Sequence, residues 1–187
     1  MTKPTRARMI DAAVDGLRRH GMAALSFTEV LAHSGAARGA IYHHFPAGKT
    51  ELVAEAARLH GQEVTDRLAN LSGATPRAVV EAFLGFAQPV VEDAARGCGC
   101  AIAAITVANS DEGKELHHIA ATVFASWNAR LTAALEGAGM RSDKAAELAQ
   151  LLIALLEGAQ VLCRASADTA PFEQAARAAL AAVPDEH

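Results

Sequence analysis

Aromatic side chains are scarce in this chain: one Trp, one Tyr and six Phe make up 4% of 187 residues. The core must therefore come from Ala, Leu, Val and Ile, and no alternating run of Val, Thr and Tyr offers a strand. Apolar residues reach 51% and Gly and Pro fall at breaks, a composition that favours helices. No uninterrupted apolar run approaches the roughly 20 residues of a membrane span. The opening residues MTKPTRARMIDAA also lack the apolar block of a secretion signal. Both absences predict a soluble, cytoplasmic protein without a membrane partner. Catalytic motifs are missing as well: there is no G-x-S-x-G, phosphate loop or H-E-x-x-H. Asp and Glu scatter over helix starts and solvated faces. The chain reads as no enzyme, with no cofactor and no metal.

What is present is an asymmetry of charge. Residues 1–60 carry eight Lys and Arg against five Asp and Glu, together with five of the eight His. Residues 61–187 carry nine against sixteen, so the net charge of −4 conceals a basic head on an acidic body. Such a head suits a polyanion.

The head has a helical grammar. Ile10, Ala13, Val14 and Leu17 keep the spacing of an amphipathic helix over 4–20, and Gly21 is placed to end it. Ser26 and Glu29 form a capping box flanked by Leu25 and Val30, which predicts a second helix over 27–34. Gly35 interrupts it, and a third helix spans 37–44 until Phe45-Pro46 ends it. Two helices this short need the first helix to pack against, which is the arrangement of a helix-turn-helix. In the third helix Ile41 and Phe45 point inward, while Arg38, Tyr42 and His43 face elsewhere. Small Ala37, Gly39 and Ala40 permit close approach to a partner. Arg38 then suits guanine O6 and N7 in a major groove, with Tyr42 and His43 on phosphates. Lys49, in the first turn of the next helix, joins the free amides there as a phosphate clamp.

The segments TRARMIDAAVDGLRRHG and LSFTEVLAHSGAARGAIYHHFPAGKTELV resemble the DNA-binding domain of the tetracycline-repressor (TetR) family of transcriptional regulators. RGCGCAIAAI, Phe124…Trp127 and LLIALLEGAQVLCRA resemble the branch of the lincomycin-resistance and flavonoid-responsive repressors. The resemblance implies that Ala37, Arg38 and Gly39 read or approach bases. It implies that Ser26, Thr28, Tyr42, His43 and Lys49 contact phosphates. Ala37 and Ala40 stand where hydroxyl residues often occur, and Leu31 where a small residue is usual. These departures bear on which operator is read.

The body, 49–187, continues in helices, giving about nine in an all-α chain whose helix-turn-helix domain is 1–48. They are expected at 48–71, from Thr75-Pro76 through a kink at Pro89, at 100–109, 112–136 and 143–165, and from Pro171 to before Pro184. In the 143–165 helix Leu148, Leu152, Leu155, Ala159 and Leu162 form one apolar stripe. Ala149, Ile153, Leu156, Gln160 and Cys163 form the next. An arc this wide is buried on two sides. The family implies a two-fold homodimer through the last two helices, matching a palindromic double-stranded DNA operator.

The family also implies a cavity for a small, mostly apolar effector. Its expected lining begins with Phe83, Phe86, Ile102, Ile105 and Phe124. Trp127, Leu131, Leu152, Leu156 and Gln160 complete it, although any one of these is equally a core residue. The implied function is a repressor released from its operator by that effector. The alternative is a redox- or metal-responsive regulator working through Cys98 and Cys100. A lone C-x-C pair, even with His117 and His118 available, is a poor zinc signature.

Overall fold

The computed structural model describes residues 3–108 and 113–183. The helices run α1 (Thr5–Ala24), α2 (Phe27–Ser34), α3 (Ala40–His44), α4 (Lys49–Ala69) and α5 (Pro76–Ala95). They continue as α6 (Ala101–Ile105), α7 (Gly113–Gly137), α8 (Ser142–Ser166) and α9 (Ala170–Ala181). No strand occurs among the described residues, so the chain is all-α as its composition predicts.

The helix starts follow side-chain chemistry. Ser26 Oγ accepts the Glu29 amide at 3.2 Å, and Leu25 and Val30 are both buried beside this cap. Thr75 Oγ1 accepts the Ala78 amide at 3.2 Å ahead of Pro76, the first residue of α5. Gly35 ends α2 in the left-handed conformation at φ 63°.

Three boundaries differ from expectation. Gly21 breaks α1 at φ 75° and ψ 178°, yet helix resumes beyond it to Ala24. α3 starts at Ala40 because residues 37–39 form a turn closed by the Ala40 amide on the Ala37 carbonyl at 2.9 Å. No side chain there caps a helix. α6 stops at Ile105, and the Thr106 hydroxyl takes the Ala103 carbonyl at 2.7 Å, a local bond that competes with further helix. The boundaries expected at 109, 112 and Pro184 lie outside the described residues. α5 passes through Pro89, whose ring is exposed, and continues to Ala95.

The chain divides into two compact units. The first, Met1–Gln62 with Cys100–Val123, packs α1 against α2 and α6. Its core includes Met9, Leu17, Ile41, Phe45, Leu52, Ile102, Ile105 and Leu116, each essentially without solvent exposure. The second, Glu63–Gly99 with Phe124–His187, packs α8 against α5 and α9 around Phe83, Leu131, Leu135 and Leu152.

α8 decides how the second unit meets solvent. Its inner face is Ala145, Ala149, Leu152, Ile153, Leu156, Ala159, Gln160 and Cys163. The second expected stripe is thus buried in full, while the first divides: Leu152 and Ala159 go inward and Leu162 outward. Outward-facing Leu151, Val161 and Leu162 are 52%, 68% and 57% exposed. By length and a mean hydropathy of 1.5, α8 would pass for a membrane span. Glu147, Gln150, Glu157 and Gln160 interrupt it, and its inner face packs within a helical core.

Candidate nucleic-acid interface

The α2–turn–α3 segment presents the predicted residues in two ways. Ile41 and Phe45 are fully buried and anchor α3 in the first unit. Arg6 places its guanidinium 5.2 Å from the centroid of the Phe45 ring, which backs that anchor with a cation–π contact. Ser26, Thr28, Ala37, Arg38, Gly39, Tyr42 and His43 are all exposed. No carboxylate occurs between Glu29 and Glu51, so nothing in this stretch opposes a polyanion.

Individual geometries refine the picture. Arg38 sits in the turn before α3 and pairs with no carboxylate among the described residues. Gly39 is not required by the fold: φ is −71°, and a Cβ added there meets nothing within 4 Å. Its small size leaves room for something outside the chain. Tyr42 is 64% exposed, and its ring meets Phe27 edge to face with centroids 5.8 Å apart. His43 and His44 lie edge to face at 5.2 Å, with His43 exposed and His44 half-buried. Lys49 is half-buried, and its Nζ donates to the Met22 carbonyl at 3.0 Å.

Sequence reasoning did not reach the long-range ties that hold this unit. His20 Nε2 lies 3.0 Å from Glu29 Oε1, joining α1 to α2. Arg6 Nη2 donates to Glu55 Oε2 at 2.8 Å, Arg58 Nη1 to Glu55 Oε1 at 3.3 Å, and Arg58 Nη2 to Glu115 Oε1 at 2.9 Å. These pairs connect α1, α4 and the first turn of α7. The Arg6 hydrogen bond holds the Glu55 carboxyl below its ordinary range against the opposing effect of burial, helped by the Arg6 and Arg58 charges. The only advance signal was an arginine at either end of the head, which fixes no partner.

The expected effector lining falls in both units. Ile102 and Ile105 belong to the core of the first. Phe83, Trp127, Leu131, Leu152, Leu156 and Gln160 are buried in the second, with Phe86 and Phe124 half-buried. Phe83 and Phe86 are 6.1 Å apart, Phe124 and Trp127 pack edge to face at 5.2 Å, and Arg67 lies 4.8 Å over the Phe86 ring. Thr65 Oγ1 and Ser126 Oγ are 3.3 Å apart. An open groove of about 540 Å³ in the second unit is lined by other residues, among them Pro76, Met140, Leu148 and Val183.

Cys98 and Cys100 have local structural duties. The Gly97 amide bonds the Ala94 carbonyl at 2.8 Å and the Cys98 amide bonds the Asp93 carbonyl at 2.9 Å. With Gly97 at φ 98°, this is a Schellman stop for α5, and buried Cys98 is its hydrophobic follower. Cys100 Sγ then accepts the Ala103 amide at 3.4 Å as the cap of α6. Arg96-Gly-Cys-Gly-Cys100 is therefore a helix stop and start. Among the described residues no three His, Cys, Asp or Glu gather where a metal ion would be held.

Known proteins resemble this chain along both its N-terminal and C-terminal parts. Residues 9–56 match the family of bacterial regulatory proteins of the tetR type. Residues 76–178 match the LmrA/YxaF-like C-terminal domain of transcriptional regulators. An uncharacterised HTH-type transcriptional regulator of Mycobacterium tuberculosis is 33% identical over 174 residues, covering 90% of this chain and 88% of that protein. YxaF, an HTH-type regulator of Bacillus subtilis, is 24% identical over 171 residues, covering 90% and 89%. In fold, the crystal structure of a TetR transcriptional regulator from Legionella pneumophila superimposes with a TM-score of 0.82 at 19% identity, covering 98% of this chain and 99% of that one. The acid-free stretch between Glu29 and Glu51 thus lies within a DNA-binding transcriptional regulator, and the chain is a member of the TetR family with an LmrA/YxaF-like C-terminal domain.

Proposed function

We propose that this regulator is a homodimeric repressor that leaves a palindromic operator when a small apolar effector enters its body. Residues 1–48 form the DNA-reading head and 49–187 the effector-binding and dimerisation body, acting in the cytoplasm. Each subunit lays α3 and the turn before it in a major groove. Arg38 reads a guanine there, with Ala37 and Gly39 allowing the backbone close. Ser26, Thr28, Tyr42, His43 and Lys49 hold the flanking phosphates and set the register.

The single observation that carries this reading is the stretch from α2 through α3 between Glu29 and Glu51, which holds no acidic residue and whose exposed Arg38 pairs with no carboxylate among the described residues. For the dimer, the support is the outer face of α8, where Leu151, Val161 and Leu162 stand in solvent beside half-buried Leu155. Large apolar residues clustered on one helix face call for a partner, and a second copy supplies the same face around a two-fold axis. For the effector, the support is the Phe83, Phe86, Phe124 and Trp127 cluster with Leu131, Leu152, Leu156 and Gln160. Ligand entry shifts the population between two arrangements of the heads by its different affinity for each.

A gel shift with the DNA flanking the protein's own gene tests the core of this. A salt-sensitive complex that Arg38→Ala weakens is the expected result. Binding that is equally strong on unrelated DNA, and indifferent to Arg38, would remove α3 from sequence reading.

A further inference from the structure

We infer that Lys49 is a positioning residue for DNA binding, because its ammonium caps the broken end of α1. Gly21 interrupts α1, and Leu25 leaves the helical region at φ −60° and ψ 123°. Inside a helix each carbonyl takes the amide four residues ahead. For Met22 that amide belongs to Ser26, which lies beyond the extended Leu25 and is itself extended at φ −125° and ψ 153°. The Met22 carbonyl is thus an orphan acceptor of a helix end. Lys49 Nζ meets it at 3.0 Å, reaching back from the first turn of α4. The contact is partly buried, and a hydrogen bond from a charged donor is stronger than one between neutral groups.

The capped corner is the one that displays Ser26 and Thr28. Leu25 is buried against Gly16, where an added Cβ would come within 2.5 Å of Leu25 Cδ1, so that side has no slack. Glu29, whose amide is capped by Ser26 Oγ, is also held by His20 at 3.0 Å. Lys49 adds the tie from α4, and it fixes the backbone immediately before the residues that face DNA. One of its three N–H groups is spent on Met22, leaving two for a phosphate. Positioning and phosphate contact therefore coexist in one side chain. The functional part of the inference rests on Ser26 and Thr28 facing DNA, but its structural part is testable without DNA.

Hydrogen exchange on the full-length, DNA-free protein provides the test, with Lys49→Met removing the donors while keeping the stem. The amides of Leu25, Glu29 and Val30, which bond Gly21 O, Ser26 Oγ and Ser26 O, should exchange about tenfold faster. Amides in the middle of α4 should not change. Lys49→Arg should restore protection, and affinity for the gene-flanking DNA should follow the same order. Unchanged exchange at these three amides in a folded Lys49→Met protein overturns the inference. A flattened salt slope with unchanged exchange would leave only a phosphate contact. Should Lys49→Met fail to fold, the nitrogen resonance of the wild-type ammonium decides: slow exchange supports the cap, and rapid averaged exchange sinks it.

Discussion

Phe27, the first residue of α2, meets Tyr42 of α3 edge to face, with ring planes at 88°. Tyr42 is mostly in solvent, and the Phe27 ring is the aromatic neighbour packed against it. Such pairs contribute about 0.5–1.5 kcal/mol beyond their buried area. Phe27→Leu should therefore weaken operator binding roughly three- to tenfold, and should have little further effect in a Tyr42→Ala background. Equilibrium binding by the four proteins of that cycle measures the coupling; strictly additive losses would show that Phe27 does not act through Tyr42.

Arg38 is the side chain of the turn before α3 best suited to read a base edge, since Ala37, Gly39 and Ala40 have no hydrogen-bonding group beyond the backbone. Arg38→Ala should cost about 1–3 kcal/mol on the native operator and relax preference at one base pair per half-site. Selection of sites from a randomised operator library checks both. A variant that binds weakly with its preference intact would make Arg38 a phosphate ligand instead.

Gly61 of α4 is buried, and a Cβ there would fall 2.6 and 2.8 Å from the two methyls of Val123. Val123 is β-branched and has little rotamer freedom with which to yield. Gly61→Ala should destabilise the protein by about 1–3 kcal/mol, and adding Val123→Ala should recover part of that. Thermal unfolding of the single and double variants reports it. No loss in Gly61→Ala would mean that α4 and α7 separate there without cost.

The Arg6–Glu55–Arg58 cluster predicts a definite pH dependence. Glu55 has its carboxyl lowered in the folded state, chiefly by the Arg6 hydrogen bond. Its contribution is therefore complete above the unfolded-state pKa of about 4.3 and is lost as pH falls through the lower folded value. Both side chains are a third or more exposed, 43% for Arg6 and 34% for Glu55. Solvent screening then keeps the contribution to about 1 kcal/mol or less. Glu55→Gln should be slightly less stable than wild type at pH 7, with the difference shrinking in acid as the pH falls below the unfolded-state value toward the lower folded one. Denaturant titrations at neutral and acid pH would contradict this if the gap persisted undiminished in acid.

The outer face of α8 predicts the assembly state. Val161→Lys with Leu162→Lys places two like charges on a face that a second copy would cover, so the double variant should sediment as a monomer. Operator affinity should fall with it, because one head engages only a half-site. A wild-type chain that sediments as a monomer at micromolar concentration would refute the proposed interface.

Much of the head was legible because its signals are local. Ser26 caps α2, Gly35 turns it, and Ile41 and Phe45 anchor α3, each by an interaction within a few residues. The expected start of α3 at 37 failed for a local reason too: Ala37, Arg38 and Gly39 offer no capping side chain. Cys98 and Cys100 looked like chemistry because their spacing was visible while the φ of Gly97, which makes them a helix stop and start, was not.

What the sequence determined by itself is the all-helical chain, its caps and breaks, the acid-free stretch between Glu29 and Glu51, and the membership those motifs signal. These depend on hydrogen bonds and periodicities spanning only a turn or two. Tertiary structure alone decided that Lys49 reaches Met22, that Glu55 lies between Arg6 and Arg58, and that Phe27 supports Tyr42. It also decided that Leu152 of α8 turns inward and Leu162 outward. Each of these depends on the relative placement of separate helices, which the packing of whole faces sets and no residue spacing within one helix encodes.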